Sequence, residues 1–92
     1  VSDGAVSTVA SAASIDLPLG SAVFSITGTT NITSVGVTGW TGKRATLVFA
    51  GILTFTDGSN LKLAGNFVTS ADDSITLVCD GTNWYEVARS AN

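Results

Sequence analysis

Apolar and polar positions alternate along most of this chain in short runs, and none of the runs carries a helical period. Ala22–Thr27, Asn31–Val37, Arg44–Phe49, Ile52–Thr56, Leu61–Ala64, Ser74–Cys79 and Trp84–Arg89 are rich in Val, Ile, Thr, Phe and Tyr and are bounded by turn residues. Each is therefore expected to be a strand. The same punctuation recurs between them: Asp57-Gly58-Ser59-Asn60 and, twenty-three residues on, Asp80-Gly81-Thr82-Asn83, with a weaker copy at Gly28-Thr29-Thr30-Asn31. Gly permits φ > 0, and Asp and Asn bond back to the nearby backbone, so each copy predicts a turn between two strands. The glycine-rich stretch Gly36 to Gly42 around Trp40, and Asn66 to Asp73, are expected loops.

Residues 1–14 are short-chained, Ser-, Ala- and Val-rich, and read as a linker or extended arm from an upstream domain. Structure proper is expected over residues 15–92, with Pro18 confining the segment around it to an edge or the entry of a strand. The pattern thus predicts an all-β domain, built as an antiparallel or intertwined sandwich- or prism-like unit.

Composition changes the picture in one respect. Of the 92 residues 45% are hydrophobic and only 12% charged, against roughly a quarter charged in an ordinary soluble domain. Val23-Phe24 and Leu47-Val48-Phe49 are apolar on both sides of a strand, which calls for cover on both faces. So small a domain hardly supplies two covers, and association with further copies is the expected source of the second. No apolar run is long enough to cross a bilayer as a helix, and the first twenty residues lack the pattern of a secretory signal. A net charge of −3 and four scattered basic residues argue against nucleic acid as a partner.

Candidate chemistry is sparse. The chain has no histidine, so Ser-His-Asp and Cys-His catalysis are excluded and the commonest metal ligand is missing. Asp57, Asp72, Asp73, Asp80 and Glu86 are formally enough for a paired-carboxylate mechanism, but most adjoin Gly or another Asp in turns, where capping the backbone is their ordinary use. Glu86 is the one carboxylate in a run apolar enough to raise its pKa. No catalytic residue, metal site or cofactor is expected. Cys79, the single cysteine, reads as a buried small hydrophobe. Trp40, with Lys43 and Arg44 beside it, reads as intrasubunit cover, a contact between subunits or a ligand platform. Trp84 and Tyr85 must point to opposite faces of their strand. Tyr85, which shares a face with Val87, is the expected inward ring.

Four stretches together carry a resemblance: Ser25-Ile26-Thr27-Gly28-Thr29-Thr30-Asn31-Ile32-Thr33-Ser34, Ala45-Thr46-Leu47-Val48-Phe49, Leu61-Lys62-Leu63-Ala64-Gly65-Asn66-Phe67 and Asp80-Gly81-Thr82-Asn83-Trp84-Tyr85-Glu86-Val87. From Ile15 to Asn92 the chain resembles the C-terminal region of bacteriophage tail-fibre and tailspike-like proteins, the segment that follows a pectate-lyase-type parallel β-helix. The resemblance implies a homotrimer capping the fibre near its host-contacting end, a place on the virion after synthesis in the host cytoplasm, and an upstream β-helix domain as partner. Phe24, Ile26, Leu47, Phe49, Phe55, Leu61, Leu63 and Trp84 are then expected in the trimer interface or the core. The alternative reading is a carbohydrate-binding module that takes bacterial surface glycan at Trp40, Lys43 and Arg44.

Overall fold

The computed structural model describes residues 6–92. All regular structure among them is β, in ten strands: β1 (Val6–Ala10), β2 (Ser14–Ile15), β3 (Val23–Thr27), β4 (Ser34–Val35), β5 (Arg44–Phe49), β6 (Thr54–Phe55), β7 (Leu61–Lys62), β8 (Phe67–Val68), β9 (Ser74–Cys79) and β10 (Trp84–Ser90). They form a six-stranded sheet in the order β1-β3-β5-β9-β10-β7 and two small sheets, β2-β4 and β6-β8.

The first half of the chain winds as stacked coils. β1, β3 and β5 lie parallel and side by side, with Val6 opposite Val23 and Val23 opposite Thr46. β2 and β4 repeat this on a second wall, and Ile32 bridges Phe55 in parallel on a third. Each coil therefore returns to its starting wall one layer higher, as in a β-solenoid. From β9 onward the sense changes. β9 is antiparallel to both β5 and β10, and β7 closes the far edge.

This corrects the antiparallel expectation: the domain is all-β, but its sheets are mixed. The physical reason lies in the turns. Of the three expected reversals only Asp80–Asn83 joins adjacent antiparallel strands, β9 and β10. The Gly28–Asn31 and Asp57–Asn60 turns are corners that carry the chain to another wall. Alternation and turn chemistry look alike in a hairpin and in a coil, so the sequence pattern does not separate them. Two further elements differ from expectation. Val6–Ala10, expected within the arm, is extended but held in register by β3, and residues 1–5 of that arm lie outside the described residues. Phe67–Val68, expected in a loop, pairs with Thr54–Phe55 because Phe67 is drawn into the interior.

The core lies inside the coils. Phe24, Ile26, Leu47, Phe49, Phe55, Leu61 and Trp84 are all buried within one chain, and Leu63 is half-buried against them. Of the expected "interface or core" set, these side chains are core. Two aromatic groups fill the space: Trp40 meets Phe24 edge-on at 5.7 Å between ring centroids and Trp84 at 5.5 Å, while Phe49 contacts Phe55 at 5.8 Å and Phe67 at 6.0 Å. Such offset and edge-on pairs contribute beyond their buried area.

The inward ring of β10 is Trp84, not Tyr85. Trp84 stands opposite Cys79 and Leu61, both buried, and its indole N–H donates to the Gly36 carbonyl at 3.1 Å. Tyr85 and Val87 do share a face, but it is the outer one, because Glu86 on the inner side sits at the edge of the core with its charge paired to Arg89. Tyr85 and Val87 are both exposed, and a bulge between Glu86 and Ala88 then turns Ala88 and Ser90 to that same outer face while Arg89 stays on the side of Glu86. Cys79 is buried as expected.

Asparagine side chains tie coil to coil. Asn31 Oδ1 accepts the Thr54 N–H at 2.8 Å, and Asn60 both donates to the Val35 carbonyl at 2.6 Å and accepts from the Val35 N–H. Asp80 acts locally as anticipated, its Oδ1 accepting the N–H groups of Thr82 and Asn83 at 2.9 and 2.7 Å. No buried side-chain polar atom among the described residues lacks a partner.

Candidate functional site

Two surfaces stand out. The first is the outer face of the six-stranded sheet. Because side chains alternate across a strand, the residues between the core positions point outward in two aligned rows. One row runs Val6, Val23, Thr46, Thr76 and Ala88 across five strands, and the next runs Thr8, Ser25, Val48, Ser74 and Ser90. Neither row holds a charge. Val6 is 62% exposed at one end, and Thr46 and Thr76 bond to each other through their hydroxyls at 3.0 Å. Arg44, Val78, Tyr85 and Lys62 form the margin at one side, since Arg44 lies opposite Val78, Val78 opposite Tyr85, and Tyr85 opposite Lys62.

The second is a shallow cleft of about 530 Å³ between the β2–β3 connection and the start of β5, lined by Leu19, Gly20, Ser21, Ala22, Trp40, Lys43 and Arg44. All three sequence-predicted ligand residues meet here. The loop that brings them is a pair of tight turns in which Trp40 N–H donates to the Val37 carbonyl and Lys43 N–H to the Trp40 carbonyl. Gly39 and Gly42 sit at φ +79° and +78°, where a Cβ would be strained.

Trp40 itself is not a platform. It is 3% exposed, its rings contact Phe24 and Trp84, and its indole N–H donates to the Leu17 carbonyl at 3.0 Å. The ring forms the floor of the cleft and offers no open face to a sugar. Of the three expected uses of Trp40 the geometry selects intrasubunit cover. Lys43 and Arg44 are exposed, and neither has a carboxylate partner among the described residues.

The carboxylates are occupied as structural acceptors. Asp73, buried, accepts from Ser70 N–H and Oγ and from Asn92 N–H. The Ser70 backbone bond, foremost, holds its carboxyl below the usual value despite the opposing effect of desolvation. Asp80 is lowered by the Asn83 and Thr82 N–H groups. Glu86 is lowered as well, chiefly by Arg89, which donates to it at 2.7 and 2.8 Å. That overturns the expectation of a raised Glu86. Arg89 also donates to the Gly65 carbonyl and lies 4.6 Å from the Phe67 ring centroid, so the pair clamps the 64–67 segment onto β10. Asp57 Oδ1 accepts the Leu63 N–H at 2.8 Å. No group of three potential metal ligands gathers among the described residues.

A scan against protein-family models, a search of curated proteins and a search of solved structures each found no match for this chain.

Proposed function

We propose that this domain is a structural capping and self-association module, forming a homotrimer at the C-terminal end of a phage tail fibre or tailspike. It has no catalytic task in this reading. The observation that carries the capping role is the difference between the two ends of the stack. At the β1 end no strand among the described residues pairs with the outer edge of the five-residue β1: Ser11 N–H donates to the Thr27 carbonyl, so by alternation the backbone groups of Thr8 and Ala10 point away from β3. A preceding parallel coil continues the same ladder there. At the other end the chain reverses into β9 and β10, β10 bulges at Glu86–Ala88, and the sheet ends on the two-residue strand β7 beside the Glu86–Arg89 ion pair. Short edges, bulges and charges are the devices that stop strand addition. The stack is thus open at its start and closed at its finish, as a terminal cap on an upstream β-helix requires.

The sequence resemblance supports the virion setting, and the low charged fraction supports association with other copies. Sedimentation equilibrium of the chain at micromolar concentration tests the reading directly. A mass of three chains is expected, and a cooperatively folded monomer would overturn it.

A second reading, recognition of bacterial surface glycan, is favoured by the cleft that gathers Lys43 and Arg44. With Trp40 closed off, such binding would act through the two cations on an acidic sugar. Glycan-array signal abolished in Lys43→Ala/Arg44→Ala supports it, and absence of any signal from the parent chain removes it.

A further inference from the structure

We infer that the row Arg44, Val78, Tyr85 and Lys62, with Lys43 beside it, is a binding strip for a linear acidic oligosaccharide that enters at the cleft and runs across β5, β9, β10 and β7. The inference rests on the glycan reading above and deepens it. The ligand is a chain of several sugars, and Tyr85 and Lys62 join Lys43 and Arg44 in holding it.

Register builds the strip. Arg44 stands opposite Val78, Val78 opposite Tyr85, and Tyr85 opposite Lys62. Each has a buried neighbour in its own strand, Ala45, Cys79, Trp84 and Leu61 in turn, so all four side chains leave the same outer face of the sheet. With strands about 4.8 Å apart, the backbones of Arg44 and Lys62 are about 14 Å apart and Tyr85 lies about 10 Å from Arg44. That span exceeds one sugar ring, and a ligand that touches both ends is an oligosaccharide.

Charge selects an anion. The chain has four Lys and Arg against seven Asp and Glu. Arg89 is engaged by Glu86, the one ion pair among the described residues, and the other three cations all belong to the strip. Two carboxylates lie near them and both already serve the fold. Asp80 accepts the Tyr85 hydroxyl at 3.1 Å and the N–H groups of Thr82 and Asn83, and Asp57 accepts the Leu63 N–H. Neither neutralises Lys43, Arg44 or Lys62 by direct contact. An acidic protein thus keeps its free cations on one surface, where charges within about 10 Å of one another act together.

The middle of the strip selects the kind of anion. Val78 is half-buried and Tyr85 is 39% exposed, and the bond to Asp80 steadies the tyrosine ring. An apolar centre between cations suits a ligand that joins apolar ring faces to charges. A sugar acid has both, a C–H face for Tyr85 and Val78 and an anionic group for Arg44 or Lys62. Nucleic acid draws its affinity from many phosphate contacts, of which three cations supply few. A peptide added as a strand needs a sheet edge, whereas this strip crosses the strands on their face.

The test uses the whole chain on an array of acidic and neutral oligosaccharides of graded length, with calorimetric titration of the strongest binder. Parent protein is measured beside Lys62→Ala, Tyr85→Ala and Lys43→Ala/Arg44→Ala. The expected result is signal on acidic oligosaccharides, weaker on disaccharides than on longer chains and missing from neutral counterparts. Lys62→Ala is expected to weaken binding by about tenfold, as loss of a charged hydrogen bond does, with an unchanged urea midpoint because the side chain is exposed. Acidic-glycan binding that is lost in Lys43→Ala/Arg44→Ala but undiminished in Lys62→Ala and Tyr85→Ala overturns the strip and leaves the glycan reading intact. No signal from the parent overturns both. Equal binding of neutral counterparts, or tighter binding of an oligothymidylate, overturns the ligand class. Should Tyr85→Ala fail to fold for want of its bond to Asp80, Lys62→Glu replaces it: abolished binding is expected, and retained binding overturns the strip.

Discussion

Replacing Trp40 separates a core residue from a ligand platform, and the structure sets the size of the effect. An aromatic side chain of this kind buries about 200 Å², which at about 25 cal/mol/Å² corresponds to about 5 kcal/mol of transfer free energy. A compact unfolded state already buries part of that area, which lowers the figure to about 3–4 kcal/mol. Lost ring contacts with Phe24 and Trp84 restore some of it, so Trp40→Ala is expected to cost about 4 kcal/mol, within the range measured for such truncations. For a domain of this size that lowers the melting temperature by about 15–25 °C. Trp40→Phe keeps a ring but removes the donor to the Leu17 carbonyl, and is expected to cost about 1–3 kcal/mol. Urea unfolding followed by tryptophan fluorescence and circular dichroism, at one fixed chain concentration because an oligomer's stability depends on it, measures both. A Trp40→Ala loss under about 1 kcal/mol would refute the assignment of this ring to the core.

Asn60→Leu removes both bonds to Val35 and leaves two backbone groups without partners, so a loss of about 2 kcal/mol is expected in the same denaturation assay; an unchanged midpoint would contradict the coil-to-coil role. Acidification is expected to destabilise the fold: Asp73 and Asp80 lie below their ordinary 3.8 and Glu86 below 4.5, so their stabilisation is complete above the unfolded values and is lost as pH falls through the lower folded ones. Urea midpoints should therefore be level above about pH 5.5 and decline below about pH 4, and a midpoint that rises on acidification would reverse the sign. Ala10→Pro removes an N–H that faces the open edge and should cost within about 1 kcal/mol, whereas Val9→Pro removes one bonded to β3 and should cost about 3 kcal/mol. Val9→Ala supplies the packing term to subtract, and equal losses from the two prolines would show that the edge is not where the alternation puts it.

What the sequence made legible was strand content, and what it hid was direction. Arg44–Phe49 and Ser74–Cys79 were readable to the residue because alternation there is unbroken. Neither says whether its neighbour runs with it or against it. A clue was present in the twenty-three-residue repeat of the turn motif, for the same offset separates Val23 from Thr46 and Ile32 from Phe55. It is the length of the coil between β3 and β5, although the coil before it, from Val6 to Val23, is shorter. Read only as spacing between hairpins, it gave the wrong topology. Trp84 and Tyr85 differ from expectation for another reason: Glu86 shares a face with Trp84 and suggests solvent there, but its carboxylate is met by Arg89 and the Ala64 N–H at the edge of the core. Trp40, Lys43 and Arg44 were correctly grouped by their proximity along the chain, but closure of the ring depends on Phe24 and Trp84, which lie 16 and 44 residues away. The outer rows were visible as unremarkable Val and Thr positions, and only register shows that they line up.

The inside and the outside of the same strands follow different rules, and this difference gives the stack its order. Along the inward columns the side chain changes from coil to coil: Ser7 lies beside Phe24 and Phe24 beside Leu47, and in the next column Val9 lies beside Ile26 and Ile26 beside Phe49. Sliding one coil along the stack would set Phe24 into the space of Ser7 or Leu47, and overpacking of that kind costs about 1–3 kcal/mol per site. The asparagine ties add to this, since Asn31 and Asn60 each reach one particular backbone position on a neighbouring layer. Outward, by contrast, the columns change in type but hold only small side chains, Val6, Val23, Thr46, Thr76 and Ala88 in one and Thr8, Ser25, Val48, Ser74 and Ser90 in the next. Repetition of small side chains keeps that face level over its whole depth, which a column of varied size would prevent. The interior thus fixes a single register for the chain, and the small outward side chains leave that choice to it.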